Sequence, residues 1–288
     1  MIGVDVGGTS GTLARYEAGT WKEQERVSFT TAGKPFPVIL ESILQSLVTL
    51  RQPDTAAIGF GVPGPVTRDG TILTLPNIEG GEGVAIAPLV QEKMSLPCTV
   101  DNDSRCFAYA EAQEGAGKGR DVVVGITMGT GVGGGIVVHG TLLRGEHGFA
   151  GEIGHMLLQP GKPPYAADDA RGDAEQFLSG TAMGKRCAEA KRPDDYLEGE
   201  VCSFLRPDLY REISWLCASL THALDPSIIV FGGSAGRALK THLNEIRKEL
   251  PHWLLPKTPL PDLAVSTLKG PGCLGAALLA HAMVRRPA

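Results

Sequence analysis

Ile2-Gly3-Val4-Asp5-Val6-Gly7-Gly8-Thr9-Ser10-Gly11, continuing into Thr12-Leu13-Ala14, runs a short apolar segment into a Gly/Thr turn and out into a second apolar segment. Val124-Gly125-Ile126-Thr127-Met128-Gly129-Thr130-Gly131-Val132-Gly133-Gly134-Gly135-Ile136, leading to Val137-Val138, repeats the design. Strand, turn, strand is the order of a β-hairpin, not the strand-to-helix order of a Walker or dinucleotide loop. Glycines let backbone N–H groups approach an anion closely, and threonine hydroxyls add donors, so such turns suit phosphate oxygens. One such turn reads equally as an ordinary hairpin. Two of them point to a nucleotide whose phosphates are held between two halves of the protein.

The surrounding pattern is α/β. Pro37 to Leu50 places Val38, Ile39, Ile43, Leu44, Leu47 and Val48 on one helical face. Ala56 to Val62 reads as a buried strand stopped by Pro63-Gly64-Pro65. Cys98-Thr99-Val100 runs straight into Asp101-Asn102-Asp103-Ser104, and the Ala-rich stretch Arg105 to Glu114 is helical, with Asp103 or Ser104 as its N-cap. Val122 to Ile126 opens the second half, and Gln159 to Gly172 reads as loop. Then come a helix over Leu209–Leu224, a β-branched strand over Ser227–Phe231, the turn Gly232-Gly233-Ser234 and a helix around Ala238–Leu250. Leu263–Leu268 reads as a strand and Cys273–Arg285 as a terminal helix. Strand, glycine turn and helix recur in both halves, which suggests a duplicated α/β unit.

Composition bounds the rest. The 288 residues suffice for two domains, and 42% hydrophobic with 20% charged residues describes an ordinary globular chain. A net charge of −5 argues against a nucleic-acid partner, which needs clustered Lys and Arg. No apolar run approaches the roughly 18 residues of a membrane span, and motifs beginning at Ile2 leave no room for a signal peptide. The six cysteines (98, 106, 187, 202, 217 and 273) show no C-x-x-C pairing. They read as small buried apolar residues in a reducing compartment, and the expected location is the cytoplasm.

Taken in order, Asp5-x-Gly7-Gly8-Thr9, Pro76-Asn77-x-x-Gly80, Asn102-Asp103 and Ala150-Gly151-Glu152-Ile153-Gly154-His155 resemble the ROK family, within the actin/hexokinase-like ATPase superfamily. The resemblance spans nearly the whole chain. It implies a duplicated, ribonuclease H-like α/β fold with two lobes around a central cleft. The small N-terminal lobe would be residues 1–105 and the large lobe 106–272, with the terminal helix 273–288 packing back on the first. It further implies an ATP- and Mg²⁺-dependent sugar kinase, glucokinase-like, acting on a small-molecule sugar and forming the 6-phosphate, with a homodimer as a possible assembly. N-acetylmannosamine, N-acetylglucosamine and fructose kinases, or a noncatalytic sugar sensor, are the alternative readings, and polyphosphate is an alternative donor. A DNA-binding repressor is disfavoured, because its N-terminal extension is missing ahead of Ile2.

Roles follow from chemistry and resemblance together. Asp103 stands where a carboxylate could receive the proton of the attacking hydroxyl, and a helix N-terminus favours its anion. A purely structural N-cap is its plainer reading. Asp5, among phosphate-binding glycines, calls for a cation and so would bind Mg²⁺, most simply through water; an Asx-turn residue is the alternative. Gly7, Gly8, Thr9, Gly129, Thr130 and Gly131 are the phosphate contacts, and Gly232 and Gly233 form the adenosine-side turn. Glu152, His155 and Glu175 would clamp sugar hydroxyls with Asn102, while Gly64 and Asn77 lie in turns matching the family's substrate loops. Family members typically follow the matched histidine with C-x-C-G-x-x-G-C and a structural zinc. Met156 to Glu175 contains no cysteine, only Asp168, Asp169 and Asp173, hard ligands that zinc does not prefer, so no structural zinc is expected.

Overall fold

The computed structural model describes residues 1–76, 78–161, 169–190 and 193–285, without the side chains of 193 and 194. Both glycine hairpins form. β1 (Ile2–Val6) pairs antiparallel with β2 (Ser10–Tyr16), from Ile2 opposite Arg15 to Val6 opposite Gly11. β3 (Glu23–Thr30) extends the sheet beyond β2, while β4 (Ile58–Val62) and β5 (Cys98–Asn102) add parallel strands on the other side of β1. The order is β3-β2-β1-β4-β5. In the second sheet β6 (Val122–Met128) and β7 (Val132–Val138) form the hairpin, β8 (Thr141–Leu142) flanks β7, and β9 (Ile228–Gly232) and β10 (Asp262–Val265) run parallel beside β6. Its order, β10-β9-β6-β7-β8, is the first sheet's order read from the other end, so the α/β unit is duplicated strand for strand.

Helices fill the connections: α1 (Phe36–Leu50), α2 (Ile86–Met94), α3 (Asp103–Glu114), α4 (Ala174–Leu178), α5 (Gly180–Arg186), α6 (Arg206–Leu224), α7 (Gly233–Ala238), α8 (Leu243–Glu249) and α9 (Pro271–Arg285). Two compact units result. One comprises Met1–Ala110, Leu142–Ala150 and the chain from Leu268; the other comprises Glu111–Thr141 and Gly151–Thr267. The first core gathers Ile2, Val4, Ile43, Leu47 and Phe60, and the second Val124, Phe177, Ile213, Leu216 and Phe231. Central strands β4 and β9 are buried along their whole length, which their unbroken apolar sequences require.

Several sequence readings are corrected. The buried face of α1 is Phe36, Ile39, Leu40, Ile43, Leu44, Leu47 and Leu50. Val38 and Val48, assigned to that face, are exposed, because they sit one step around the helix from the i, i+3, i+4 stripe. The helix expected around Ala238–Leu250 is broken into α7 and α8, with 3₁₀ turns at Leu239–Thr241 and Leu250–Trp253. The break falls at His242, whose ring is held by the Tyr210 hydroxyl at Nδ1 (2.6 Å) and the Leu197 carbonyl at Nε2 (2.7 Å). Cys187 and Cys202, read as free thiols, are joined by a disulfide that ties the end of α5 to the turn before α6. Folding brings their Cα atoms within 6.2 Å across a separation of 15 residues, which no local motif announces. Bidentate Arg186–Glu212 contacts (2.6 and 3.0 Å), nearly sealed from solvent, clamp the same helix pair.

α9 lies on β1 and β4 at backbone contact. A Cβ on Gly3 would stand 1.8 Å from the Cys273 carbonyl oxygen, and one on Gly59 would stand 1.9 Å from that of Ala276. Neither neighbour is a side-chain tip that can swing away. Gly59→Ala is therefore expected to cost at least about 3 kcal/mol, through overpacking that only a backbone shift can relieve. Gly8→Ala, whose Cβ would meet nothing within 4 Å, should melt like wild type. Thermal unfolding of the two variants checks the contrast, and equal melting would refute it.

Candidate active site

In the first unit the described candidate residues gather at the carboxyl ends of β1, β4 and β5, where ligands of open α/β sheets bind. Asp5 is the penultimate residue of β1, opposite Thr12 and Gly61. The turn after it closes with the Gly7 N–H donating to the Ser10 carbonyl at 3.0 Å. It is braced from β3's end: the Thr31 hydroxyl donates to the Gly7 carbonyl (2.7 Å), and the N–H groups of Thr31 and Ala32 donate to the Thr9 carbonyl. Gly7 is needed for the turn itself, since its Cβ would stand 2.5 Å from the Ser10 carbonyl oxygen. Gly8 is not: its φ is not left-handed and the space at its Cβ is open. Glycine there leaves room for an incoming group.

The joint between β5 and α3 sets Asp103. Asn102 is the N-cap, its side-chain oxygen accepting the N–H groups of Ser104 (3.0 Å) and Arg105 (3.1 Å), so Asp103 is the first residue of the helix rather than its cap. The other end of the Asn102 amide donates to the Gly64 carbonyl at 3.1 Å. Two residues read as sugar contacts thus bind each other and hold the residue before Asp103 to the loop after β4. Asp103 takes the Ser104 N–H at 2.7 Å and the Ser104 hydroxyl at 3.2 Å on one oxygen. A missed element lies just before. Asp101 is buried and paired by Arg105 Nη1 (3.3 Å) and Arg144 Nε (2.8 Å). An Asp closing an apolar strand carries no signal of partners four and 43 residues away.

The second unit repeats the arrangement. The Gly129 N–H donates to the Gly131 carbonyl (2.9 Å), and the turn is held by α5, through the Gly180 N–H to the Gly129 carbonyl (2.7 Å) and the Thr181 hydroxyl to the Thr130 carbonyl (2.9 Å). Gly129, like Gly8, has open space at its Cβ. Gly233, at φ 76°, packs on the end of β6, with its Cβ position 2.3 Å from the Met128 carbonyl oxygen. Gly232 pairs with Thr127, so the Gly232-Gly233 turn and the 129–131 hairpin stand side by side.

Glu175 accepts the Val132 N–H at 2.9 Å and fills the space over Gly131, so its carboxylate here braces the hairpin. Glu152 precedes, and His155 ends, a 3₁₀ turn, Ile153–His155, laid on β7. Ile153 occupies the place of a Gly134 side chain, which explains the glycine at that position. His155 is half exposed, with Nδ1 3.1 Å from Oδ2 of the buried Asp173. Asn77 and Asp168 lie outside the described residues. Among the described residues no group of three His, Cys, Asp or Glu side chains is placed to hold a metal, and no helix is long and apolar enough to cross a membrane.

Asp5 is the electrostatic outlier. Burial first, and the nearby Asp103 second, push its carboxyl from its ordinary 3.8 up to about 7, with Arg26 pulling the other way. Two carboxylates close together beside open phosphate-type turns are a fit for a divalent cation, which would offset both.

A doubled α/β sheet with paired glycine hairpins, and with an acidic residue at the end of the first strand, defines the actin-like ATPase class. The chain belongs to the ROK family, whose model matches residues 1–283. It is 31% identical to a glucokinase of Streptomyces coelicolor, covering 97% of each chain, and 29% identical to an N-acetylgalactosamine kinase of Shewanella sp. (strain ANA-3), covering 98% of this chain and 96% of that one. Among solved structures it is similar to a ROK family glucokinase from Streptomyces griseus in complex with glucose and AMPPNP, with a TM-score of 0.78, 29% identity and 98% and 99% of the two chains covered.

The raised carboxyl makes a pH prediction. Between about pH 4 and 7 the folded protein holds a proton on Asp5 that the unfolded chain has lost, so this stabilisation declines as pH rises and is gone above about 7. Asp5→Asn, which cannot ionise, should melt above wild type in nucleotide-free buffer at pH 8, with the gap shrinking towards pH 4. A gap that stays constant or widens at low pH would contradict the assignment.

Proposed function

We propose that this chain is an ATP-dependent hexose kinase that transfers the γ-phosphate to the 6-hydroxyl of glucose, with Asp103 as the base. The observation that carries the reading is the β5–α3 joint. It presents a half-buried carboxylate on the first residue of a helix, fixed from behind by the Asn102 cap and the Asp101 ion pairs. As the sugar oxygen attacks the γ-phosphorus, its proton passes to an Asp103 oxygen and the bond to the ADP oxygen breaks. The turns at Gly7–Thr9 and Gly129–Gly131 donate backbone N–H groups to the phosphates, and Gly232-Gly233 lies against the adenosine. Asp5 would hold Mg²⁺ through water, and the ion supplies charge neutralisation on the phosphates when bound. Glu152, His155 and Glu175 bind sugar hydroxyls; Glu175 does so after leaving the Val132 N–H, or through its second oxygen. Asn77 belongs to the same substrate set. The enzyme works where ATP is held, in the cytoplasm.

An N-acetylhexosamine substrate is the second reading, favoured by the comparable identity to an N-acetylgalactosamine kinase. The two differ at the sugar's C2 substituent. A panel of glucose, mannose, fructose and N-acetylated hexoses, against ATP and polyphosphate, separates them. Asp103→Asn is expected to lower kcat on the best sugar by ~10²–10⁴ while sugar affinity stays within about tenfold. Chelation should abolish activity and added Mg²⁺ restore it. An Asp103→Asn enzyme keeping more than half of wild-type turnover would remove Asp103 from the reaction.

A further inference from the structure

Asp173 is 1% exposed, and a buried carboxylate must have its oxygens satisfied. Oδ1 accepts the Gln176 N–H at 3.2 Å, capping α4, and Oδ2 lies 3.1 Å from His155 Nδ1. Among the described residues the exposed Arg171 also lies near Oδ2, its Nε at 3.8 Å. An ionised carboxylate only accepts, so the hydrogen of this contact sits on His155 Nδ1. Backbone, not side-chain flexibility, sets the spacing. Leu157 and Asp173 form a β-bridge, the Ala174 N–H donates to the Met156 carbonyl (2.8 Å), and the N–H groups of Leu158 and Gln159 donate to the Gly172 carbonyl (2.9 Å each). His155, the last residue of the 3₁₀ turn, thus stands two residues before the bridge that carries Asp173. The ring edge bearing Nε2 makes no hydrogen bond to the described residues, and the side chain is 50% exposed.

We propose that Asp173 is a positioning residue, one that locks His155 as the Nδ1–H tautomer so that Nε2 is offered as an acceptor to one sugar hydroxyl. The inference rests on the sugar-binding reading of His155 and adds to it the group that sets the ring's hydrogen-bonding polarity. With the ring hydrogen on Nδ1 and none on Nε2, the ring accepts at Nε2, and the bound hydroxyl must donate. An Asp partner that fixes the tautomer of a working imidazole can matter as much as the imidazole itself.

Asp173→Asn separates this from a structural role. The Asn carbonyl can keep the Gln176 N–H, but its NH₂ then faces Nδ1 and drives the ring proton to Nε2. Two-bond ¹H–¹⁵N NMR on histidine-labelled protein, with His155 assigned through His155→Gln, reads the tautomer without any turnover. Wild type should show the Nδ1–H pattern and Asp173→Asn the Nε2–H pattern. The sugar KM should rise by ~10–100-fold in the variant, with the ATP KM unchanged within twofold. In a His155→Gln background the Asp173→Asn change should add no further loss in sugar KM. An Nε2–H ring or a metal-bound Nδ1 in wild type would overturn the proposal, as would an Asp173→Asn enzyme whose sugar KM stays within twofold. The wild-type spectrum decides even if the variant does not fold. Failure of the kinase reading is a distinct result, in which wild type phosphorylates no sugar whatever the tautomer.

Discussion

The buried carboxylate of Asp101, held by Arg105 on one side and Arg144 on the other, is the constraint on which the first half of the site depends. A charge that far from water is tolerated only with partners in place, and stripping one partner from such a cluster costs about 3–5 kcal/mol. The cluster fixes the backbone at the one point where β5 ends and α3 begins. Asn102 follows immediately, capping the helix with its side-chain oxygen and donating one N–H of its amide to the Gly64 carbonyl. Asp103 is what this leaves at the surface of the joint. Two buried residues and one at the surface make a rigid mount, which the proposed base at Asp103 would need in order to meet a hydroxyl within about 0.5 Å.

Features written in a few consecutive residues were legible in the sequence. Both hairpins are there, because a Gly/Thr turn between apolar segments has few other solutions, and so are the buried strands at Ile58–Val62 and Ile228–Gly232. What escaped depends on partners distant in sequence. β3 reads Glu-Gln-Glu-Arg-Val-Ser-Phe-Thr, and only its pairing with β2 makes a strand of so charged a segment. The α1 stripe was shifted because Val38 and Val48 are apolar yet lie off the face that meets the sheet. At the site the residue types were readable, but their division of labour was not. Asp103 and Ser104 are both good caps by type, whereas the cap is Asn102, chosen by the direction in which β5 delivers the chain. The Cys187–Cys202 bond and the His155–Asp173 contact are invisible for the same reason: each joins chemistry that folding, not spacing, brings into reach.

Duplication explains why both glycine turns look alike and yet are braced differently. Each hairpin leaves the glycine at its tip, Gly8 or Gly129, with open space where a side chain would go, so the fold of the free protein does not require glycine there. Each turn also needs support, because a loop of glycines loses more entropy on ordering than any other. The first is braced by Thr31 and Ala32 at the end of β3, elements of its own sheet. The second has only the two-residue β8 beyond β7, and takes its support from α5 and Glu175 instead.

That difference assigns the two hairpins unequal freedom to respond to a ligand. The first is fastened through its own carbonyls at Gly7 and Thr9, which accept from the buried Thr31 and from the Ala32 N–H. The second is fastened by Glu175, one of the residues expected to meet the sugar, so any pull of a hydroxyl on that carboxylate is felt at the Val132 N–H, one residue beyond Gly131. A carboxylate has two oxygens and can serve both partners only in a narrow range of orientations. The proposed sugar contact Glu175 and the glycine turn of this unit are therefore joined through one carboxylate, and Gly134, by admitting Ile153, lets the turn that carries Glu152 and His155 lie on the same hairpin.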